Sequence, residues 1–316
     1  MNHLLSIGDL SRDDALFLLA EAARLKRERI ENPRAQFQLL RGQTLAMIFE
    51  KPSLRTRVSF EGAMAHCGGH AINLSHADIG LGKREAVADV ARVLGAMCDA
   101  IMARVFKHET VVQLARWAGK PVINGLSDAE HPCQALADLQ TLREYKSLEG
   151  RCLAYVGDGN NVCNSLMLLC AKVGVEFCCA TPEGFEPDPK YVELARREGE
   201  VHIMNDPREA VRAADCVYTD VWTSMGREDE TERRAQVFPP FQINEELMSL
   251  AQPDAMVLHC LPAHRGQEVS AEIFQKHAPT IFAQAENRLH AQKAVLLHLL
   301  DPTIGVTSGR PLTSDP

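Results

Sequence analysis

Leu45-Ala46-Met47-Ile48-Phe49-Glu50-Lys51-Pro52-Ser53-Leu54-Arg55-Thr56-Arg57-Val58-Ser59-Phe60-Glu61-Gly62-Ala63-Met64 passes from an apolar run to a helical pattern through a polar turn. The run 45–49 reads as a buried strand and the residues from Val58 onward as a helix. Ser53-Leu54-Arg55-Thr56-Arg57 therefore places two guanidiniums and two hydroxyls where a strand gives way to a helix. Backbone N–H groups and the positive end of the helix dipole converge at such a junction, which suits an anion. Arginine adds planar, bidentate donors that match phosphate or carboxylate oxygens. The plainer reading of the same segment is a solvated Arg/Ser turn with an ordinary cap.

The strand-then-helix pattern repeats outward from this point. Upstream, Leu10, Ala15, Leu18, Leu19, Ala22 and Leu25 recur at helical spacing within residues 9–30. Downstream, 71–74, 100–103 and 121–124 read as strands, and 85–97 reads as a helix with Val87, Val90, Ala91 and Leu94 as its apolar stripe. A polar-faced helical stretch, 134–148, reads as a link between two units. The pattern restarts at Arg151, with 152–156, 175–180, 216–220 and 256–259 as strands, 281–282 as a shorter one, and 164–173 as a helix. The last helical run, 291–300, is expected to pack back on the first domain, and 307–311 reads as a mobile tail. The fold class expected is α/β: two domains, each with a central parallel sheet flanked by helices, joined by two linking helices.

Length and composition agree with this. A chain of 316 residues is long for one core and suggests about two domains. Apolar content of 46% and charged content of 24% are those of a soluble globular protein. A net charge of −8 argues against nucleic-acid partners, so a local Arg cluster points to a small anion. No stretch approaches the roughly 20 apolar residues of a membrane span, and residues 1–9 lack the features of a signal peptide. The expected location is cytoplasmic. None of the ten cysteines forms a Cys-x-x-Cys pair. Most, such as Cys152, Cys170, Cys178, Cys179 and Cys216, sit in apolar runs, which argues for buried thiols over a disulfide framework or a structural zinc site.

Ligands of open parallel sheets bind beyond the carboxyl ends of the strands. Polar groups that follow strands are therefore the candidates for ligand contact. Arg104 follows strand 100–103 and reads alone as a solvated Arg. His131-Pro132-Cys133-Gln134 opens the linking helix. His131 can donate to a carbonyl oxygen and Gln134 can read an amide, or the His merely caps the helix. Gly157-Asp158-Gly159-Asn160-Asn161 begins like a dinucleotide fingerprint, but Val162 stands at the third glycine position and Ala180-Thr181-Pro182 supplies no acid. A tight turn presenting Asn side chains fits better. Asp220, with Ser224 and Met225 following, offers a carboxylate for an ammonium group, or is an ordinary loop Asp. In His259-Cys260-Leu261-Pro262, Pro262 pushes Leu261 out of helical geometry and makes their bond a candidate cis peptide. Cys260 is a nucleophile, a polar contact or an inert buried thiol. Glu286-Asn287-Arg288 ends the last short strand. Jointly these groups describe a cleft with a phosphate-bearing ligand against one domain and an amine-bearing ligand against the other.

Over nearly its whole length the sequence resembles the aspartate/ornithine carbamoyltransferase family. The Ser-x-Arg-Thr-Arg signature matches 53–57 and the His-Pro-x-Gln motif matches 131–134. Asp220 through Ser224-Met225-Gly226, and His259-Cys260-Leu261-Pro262, resemble the ornithine branch. The resemblance implies transfer of a carbamoyl group from carbamoyl phosphate to the δ-amine of L-ornithine, giving citrulline and phosphate, with no cofactor and no metal. It implies a carbamoyl phosphate-binding domain over 1–133, with the C-terminal helix 291–316 packing on it, and an ornithine-binding domain over 134–290. Ser53, the backbone of Leu54, Arg55 and Thr56, assisted by Arg104, would bind the phosphate. Thr56, Arg104 and His131 would polarise the carbonyl, while Gln134, Cys260, Leu261 and Arg288 hold the rest of the carbamoyl group. Asn161, Asp220, Ser224 and Met225 would hold ornithine. Arg57 reads as structural support. Leu54 departs from the family, where many ornithine enzymes carry a hydroxylic residue, and a backbone contact there makes the change harmless.

This chemistry needs a neutral amine and preorganised donors for the tetrahedral oxyanion, each worth about 3 kcal/mol. Juxtaposing two bound substrates supplies much of the rate, so domain closure is expected. Cys260 reads in this light as a contact and not a nucleophile. Family members are built on trimers, so a homotrimer or a multiple of it is expected, with Lys83 as the candidate for a neighbour's contribution against a solvated Lys. The rival readings are putrescine or an N-acylated ornithine as acceptor, and a non-catalytic ligand-binding relative.

Overall fold

Strands and helices alternate along the chain, and the strands pair in parallel within two separate sheets. The computed structural model describes residues 1–82, 84–223 and 228–301. These form two units: residues 1–5, 17–126 and 289–301 make the first, residues 6–16 and 127–288 the second. Two helices, α1 (Arg12–Glu31) at one boundary and the last helix of the chain at the other, carry the chain between them.

The first unit continues through β1 (Thr44–Phe49), α2 (Leu54–His66), β2 (His70–Ser75), the short α3 (His76–Ile79), α4 (Val87–Met97), β3 (Ala100–Arg104), α5 (His108–Ala118) and β4 (Val122–Leu126). Its sheet has the order β2-β1-β3-β4. β1 is apolar and buried from Leu45 to Phe49, as a central strand covered on both faces requires. Ala46, Ile48, Ile101, Ala103 and Val122 pack with Val90, Ala91, Val111 and Leu114 of α4 and α5.

The second unit contains α6 (Pro132–Tyr145), β5 (Cys152–Val156), α7 (Asn161–Val173), β6 (Glu176–Ala180), α8 (Pro189–Arg196), β7 (Val201–Met204), α9 (Pro207–Ala210), β8 (Cys216–Thr219), α10 (Thr231–Val237), α11 (Glu245–Met248), β9 (Met256–His259) and the greater part of α12 (Ala271–Leu300). Its sheet has the order β7-β6-β5-β8-β9. Ala154, Val156, Ala180, Val217 and Val257 pack against Ile273, Phe274 and Ile281 of α12.

Both orders contain a reversal. In the first sheet the chain leaves β1 for β2 on one side and returns to β3 on the other; in the second it leaves β5 for β6 and β7 and returns to β8. Loops that depart to opposite sides open a crevice at the carboxyl ends, the usual ligand position of such sheets. The switch points lie after β1 and β3, and after β5 and β8.

Three local expectations are corrected. Residues 281–282 are not a strand and Arg288 does not end one: α12 runs unbroken through both, and 291–300 is its continuation. Pro279 and the β-prone Ile281-Phe282 pair imitate a break, but Thr280 Oγ1 donates to the His277 carbonyl at 2.8 Å and to the Val257 carbonyl at 3.0 Å, tying this turn to β9. β7 was absent from the sequence reading. The helix over 134–148 is not polar-faced; α6 is buried from Pro132 through Leu142. Its polar residues have partners inside the unit, such as Asn287 Nδ2 donating to Thr141 Oγ1 at 3.0 Å. Among the described residues no helix is long and apolar enough to cross a membrane. Lys83, Ser224, Met225 and the tail 307–311 lie outside the described residues.

Candidate active site

At the first switch point Phe49 pairs in register with Arg104, and the Glu50 N–H donates to the Arg104 carbonyl at 2.9 Å. The loop after β1 is thereby fixed beside the end of β3. Ser53 caps α2 with an extended backbone (φ −158°, ψ 113°), its Oγ accepting the Thr56 N–H at 3.3 Å. The first turn of α2 holds no acidic residue, whereas α1 has Asp13 and Asp14, α4 has Asp89 and α5 has Glu109. Arg55 and Arg57 stand there instead. Cations oppose the dipole at a helix N-terminus, a conflict that a bound anion removes.

The side chains in this turn divide by environment. Thr56 is buried and Arg55 and Arg104 are partly buried, while the Leu54 side chain is 74% exposed. Position 54 therefore offers a ligand its backbone N–H as the first residue of α2. Arg57 is exposed and pairs with Glu61 at 3.0 Å. Lys51 was not singled out from the sequence. It is buried in the same loop, its Nζ 4.7 Å from the centre of the Phe106 ring, and adds a lysine to the arginines at this end of the sheet.

In the second unit, His131 occupies the N-cap position of α6 but its side chain makes no capping bond. Its Nε2 lies 3.4 Å from Arg288 Nη1, and its backbone N–H donates to Ser165 Oγ at 2.9 Å. The same Arg288 Nη1 donates to Gln134 Oε1 at 2.7 Å. Gln134 Nε2 donates to Asp138 Oδ1 at 2.8 Å, and Gln284 Nε2 donates to that oxygen at 2.6 Å. The structure thus joins three predicted residues, His131, Gln134 and Arg288, and backs them with Asp138, which the sequence reading overlooked. Asp138 stands four residues after Gln134, one helical turn on the same face, and that spacing was the available signal.

Burial raises the Asp138 carboxyl to about 7, against hydrogen bonds from Gln134, Gln284 and Tyr218 that lower it. An acid whose pKa is higher in the folded chain holds a proton that the unfolded chain has released. Its contribution therefore weakens the fold as pH rises from near 3.8 through about 7. Asp138→Asn keeps a carbonyl oxygen for both amides and does not titrate. The variant is expected to gain on the parent between pH 5 and pH 8 by roughly 2–3 kcal/mol. Melting at the two pH values checks this; an equal difference at both would contradict it.

At the second switch point Asn160 caps α7. Its Oδ1 accepts the N–H groups of Val162 and Cys163, and its Nδ2 donates to Asp220 Oδ2 at 2.8 Å. Asp220 Oδ1 accepts the Cys260 thiol at 2.9 Å and its own neighbour's N–H, from Val221, at 2.8 Å. Burial and the Asp220 charge push the Cys260 thiol well above its ordinary range, so it is a donor and not a thiolate. Asn160, not singled out from the sequence, is the residue bonded to Asp220. Its neighbour Asn161 turns its amide to the Ser127 carbonyl at 2.6 Å. Gly159 is required here because a Cβ would stand 2.3 Å from Pro187 N.

The turn after β9 is held from behind. Leu261 has φ +60° and the Leu261–Pro262 bond is cis. His259 Nδ1 accepts the Leu261 N–H at 2.9 Å, which leaves the proton on Nε2 to face Glu268 Oε1 at 3.1 Å.

Residues 2–144 match the family described as aspartate/ornithine carbamoyltransferase, carbamoyl-P binding domain, and residues 149–299 match its Asp/Orn binding domain. The chain belongs to this family. It is 52% identical over 302 residues to the ornithine carbamoyltransferase of Anoxybacillus flavithermus, covering 94% of this chain and 96% of that one. The anabolic ornithine carbamoyltransferase of Pyrococcus furiosus is 51% identical over 300 residues, 93% of this chain and 94% of the relative. A solved ornithine carbamoyltransferase structure from the same organism superposes with a TM-score of 0.91 at 49% identity, covering 95% of this chain and 97% of that one.

The carbamoyltransferase signatures thus fall where the chemistry placed them. Ser-Leu-Arg-Thr-Arg opens the helix after β1, and His-Pro-Cys-Gln opens α6. Sequence reasoning did not find Arg234 of α10, which is almost wholly buried. Its Nη1 pairs with Asp158 at 2.9 Å and donates to the Trp222 carbonyl at 2.6 Å, and its Nη2 pairs with Glu230 at 2.8 Å. It joins the loop after β5 to the loop after β8. No local pattern marks an ion pair formed across so long a stretch of chain.

Proposed function

We propose that this chain transfers the carbamoyl group of carbamoyl phosphate to the δ-amine of L-ornithine, releasing L-citrulline and phosphate. The observation that carries the reading is the Asp220 cluster. A buried carboxylate that accepts from an amide and a thiol at a sheet switch point suits a primary ammonium group. The ornithine-specific names of the relatives support the same acceptor.

In this reading Ser53, the Leu54 backbone, Arg55, Thr56 and Arg104 bind the phosphate end of carbamoyl phosphate. His131, Gln134, Arg288 and the Cys260–Leu261 turn hold the carbamoyl end. Asp220, with Asn160 and Asn161, holds the α-amino and carboxylate ends of ornithine, and Ser224 and Met225 are assigned there by family resemblance. The neutral δ-amine attacks the carbonyl carbon, and the C–N bond forms as the carbonyl pair moves to oxygen. Donors from Thr56, Arg104 and His131 meet the developing charge. The tetrahedral species collapses by breaking the C–O bond to phosphate, whose charge Arg55 and Arg104 take up, and the amine's proton passes to the departing phosphate. Cys260 serves as a thiol contact.

The same reading carries a cytoplasmic homotrimer, with the two domains divided functionally near residue 133 and a role in arginine biosynthesis. The anabolic name of the Pyrococcus furiosus relative supports that role. The test is an acceptor panel at saturating carbamoyl phosphate. Ornithine is expected to exceed putrescine and N-acetylornithine in kcat/KM by at least about 100-fold, because each rival leaves a polar group of the site unpaired. Preference for putrescine would overturn the assignment.

A further inference from the structure

At the amino-terminal ends of β5, β6 and β7, away from the switch point, five metal-ligating side chains share one face of the second sheet. In parallel strands, residues paired in register share a face, as do residues two apart in one strand. Cys152 pairs with Glu176, and Cys178 pairs with His202. Glu176 and Cys178 are two apart on β6, and Glu200 lies two before His202. The donor atoms of Cys152, Glu176 and Cys178 lie within 4.8 Å of one another, as do those of Glu176, Glu200 and His202.

Three of the separations match edges of one coordination geometry. Cys152 Sγ and Cys178 Sγ are 3.7 Å apart, Cys178 Sγ and Glu176 Oε1 are 3.6 Å apart, and Glu176 Oε1 and His202 Nε2 are 3.4 Å apart. Tetrahedral zinc, with Zn–S of about 2.3 Å and Zn–N or Zn–O of about 2.0–2.1 Å, has ligand–ligand edges of about 3.8, 3.6 and 3.4 Å for the same atom pairs. We propose that Cys152, Cys178 and Glu176, completed by His202, form a binding site for a thiophilic divalent cation of the zinc class. His202, exposed on the edge strand, faces Glu176 and does not group with the two sulfurs within 4.8 Å, so it takes the fourth corner only by rotating toward them. Neither cysteine belongs to a Cys-x-x-Cys motif; the site is created by strand register. A disulfide is the lesser use of this pair. Diagonal neighbours on adjacent strands stand about 7–8 Å apart, beyond the usual disulfide span.

The neighbouring Cys178 thiol, and then burial, push the Cys152 thiol above its ordinary range. Binding of the cation displaces the thiol protons to solvent as thiolate bonds form. A bound ion ties three strands together far from Asn160 and Asp220, so its effect falls on stability and not on turnover.

Cobalt titration of the full-length protein tests the site. One cobalt per chain is expected to give a thiolate charge-transfer band that zinc bleaches, that survives Cys260→Ser, and that is lost in the Cys152→Ser/Cys178→Ser variant with kcat unchanged. In the unaltered protein, zinc is expected to slow alkylation of Cys152 at least tenfold, as mapped by mass spectrometry. The absence of a band, its persistence in the double variant, or unprotected Cys152 would overturn the proposal. Loss of the band in Cys260→Ser would assign the ion to Asp220, His259 and Cys260, whose donors also lie within 4.8 Å of one another.

Discussion

Arg55→Ala is expected to lower kcat/KM for carbamoyl phosphate by about 10³-fold, through loss of a charge-assisted contact worth roughly 4 kcal/mol, while the melting temperature holds. The two halves of this result have separate causes. The guanidinium stands in the first turn of α2, which contains no acidic residue, so its charge opposes the helix dipole. Removing it relieves the conflict with the helix dipole, and Ala has the higher helix propensity. The ligand, in contrast, loses the planar donor pair that matches two phosphate oxygens. Arg55→Lys keeps the charge without the fork and is expected to fall between, near a 10²-fold loss. Initial-rate kinetics with varied carbamoyl phosphate, alongside thermal melting, check both halves. A variant that loses stability and activity together would make Arg55 a structural residue.

Arg234→Ala is expected to have the largest effect on stability, a loss of about 3–5 kcal/mol, which corresponds to a melting shift on the order of 10 °C. Arg234 is 1% exposed, and its removal leaves Asp158 buried without its cation. Its guanidinium also lies over the Phe185 and Phe238 rings, at 4.8 Å and 5.6 Å, so packing is lost as well. Adding Asp158→Asn to the variant neutralises the stranded carboxylate and is expected to restore part of the loss, a coupling that a double-mutant cycle measures. Because Arg234 also anchors the Trp222 carbonyl, the KM for ornithine is expected to rise in the surviving enzyme. Equal stability of the single and double variants would show that the ion pair contributes little.

The architecture was legible wherever burial on both faces wrote an unbroken apolar run. β1, β3, β5, β8 and β9 are of this kind, and their spacing called for parallel sheets. β7 escaped because it is an edge strand in which only Val201 is fully buried and His202 is exposed. α12 was cut in two because Pro279 reads as a breaker and Ile281-Phe282 as strand. Only the tertiary bonds of Thr280 reveal the continuity.

The site divided along the same line. The Ser-Leu-Arg-Thr-Arg turn carries its chemistry locally, since cap, dipole and arginines are consecutive. Arg288 drew notice at what read as a strand end, but its role came through resemblance, because nothing in a mid-helix Arg announces that it meets Gln134. Asp138, Asn160 and Arg234 depend on partners far along the chain. The sequence reading placed the burden of the Gly-Asp-Gly-Asn-Asn turn on Asn161, whereas the bond to Asp220 comes from Asn160.

The central claim is tested most directly by incubating the protein with carbamoyl phosphate and L-ornithine and counting both products. The account predicts L-citrulline and phosphate in equal amounts, at a rate that saturates in both substrates. Phosphate release without citrulline, or no turnover with ornithine while another amine is carbamoylated, would contradict it.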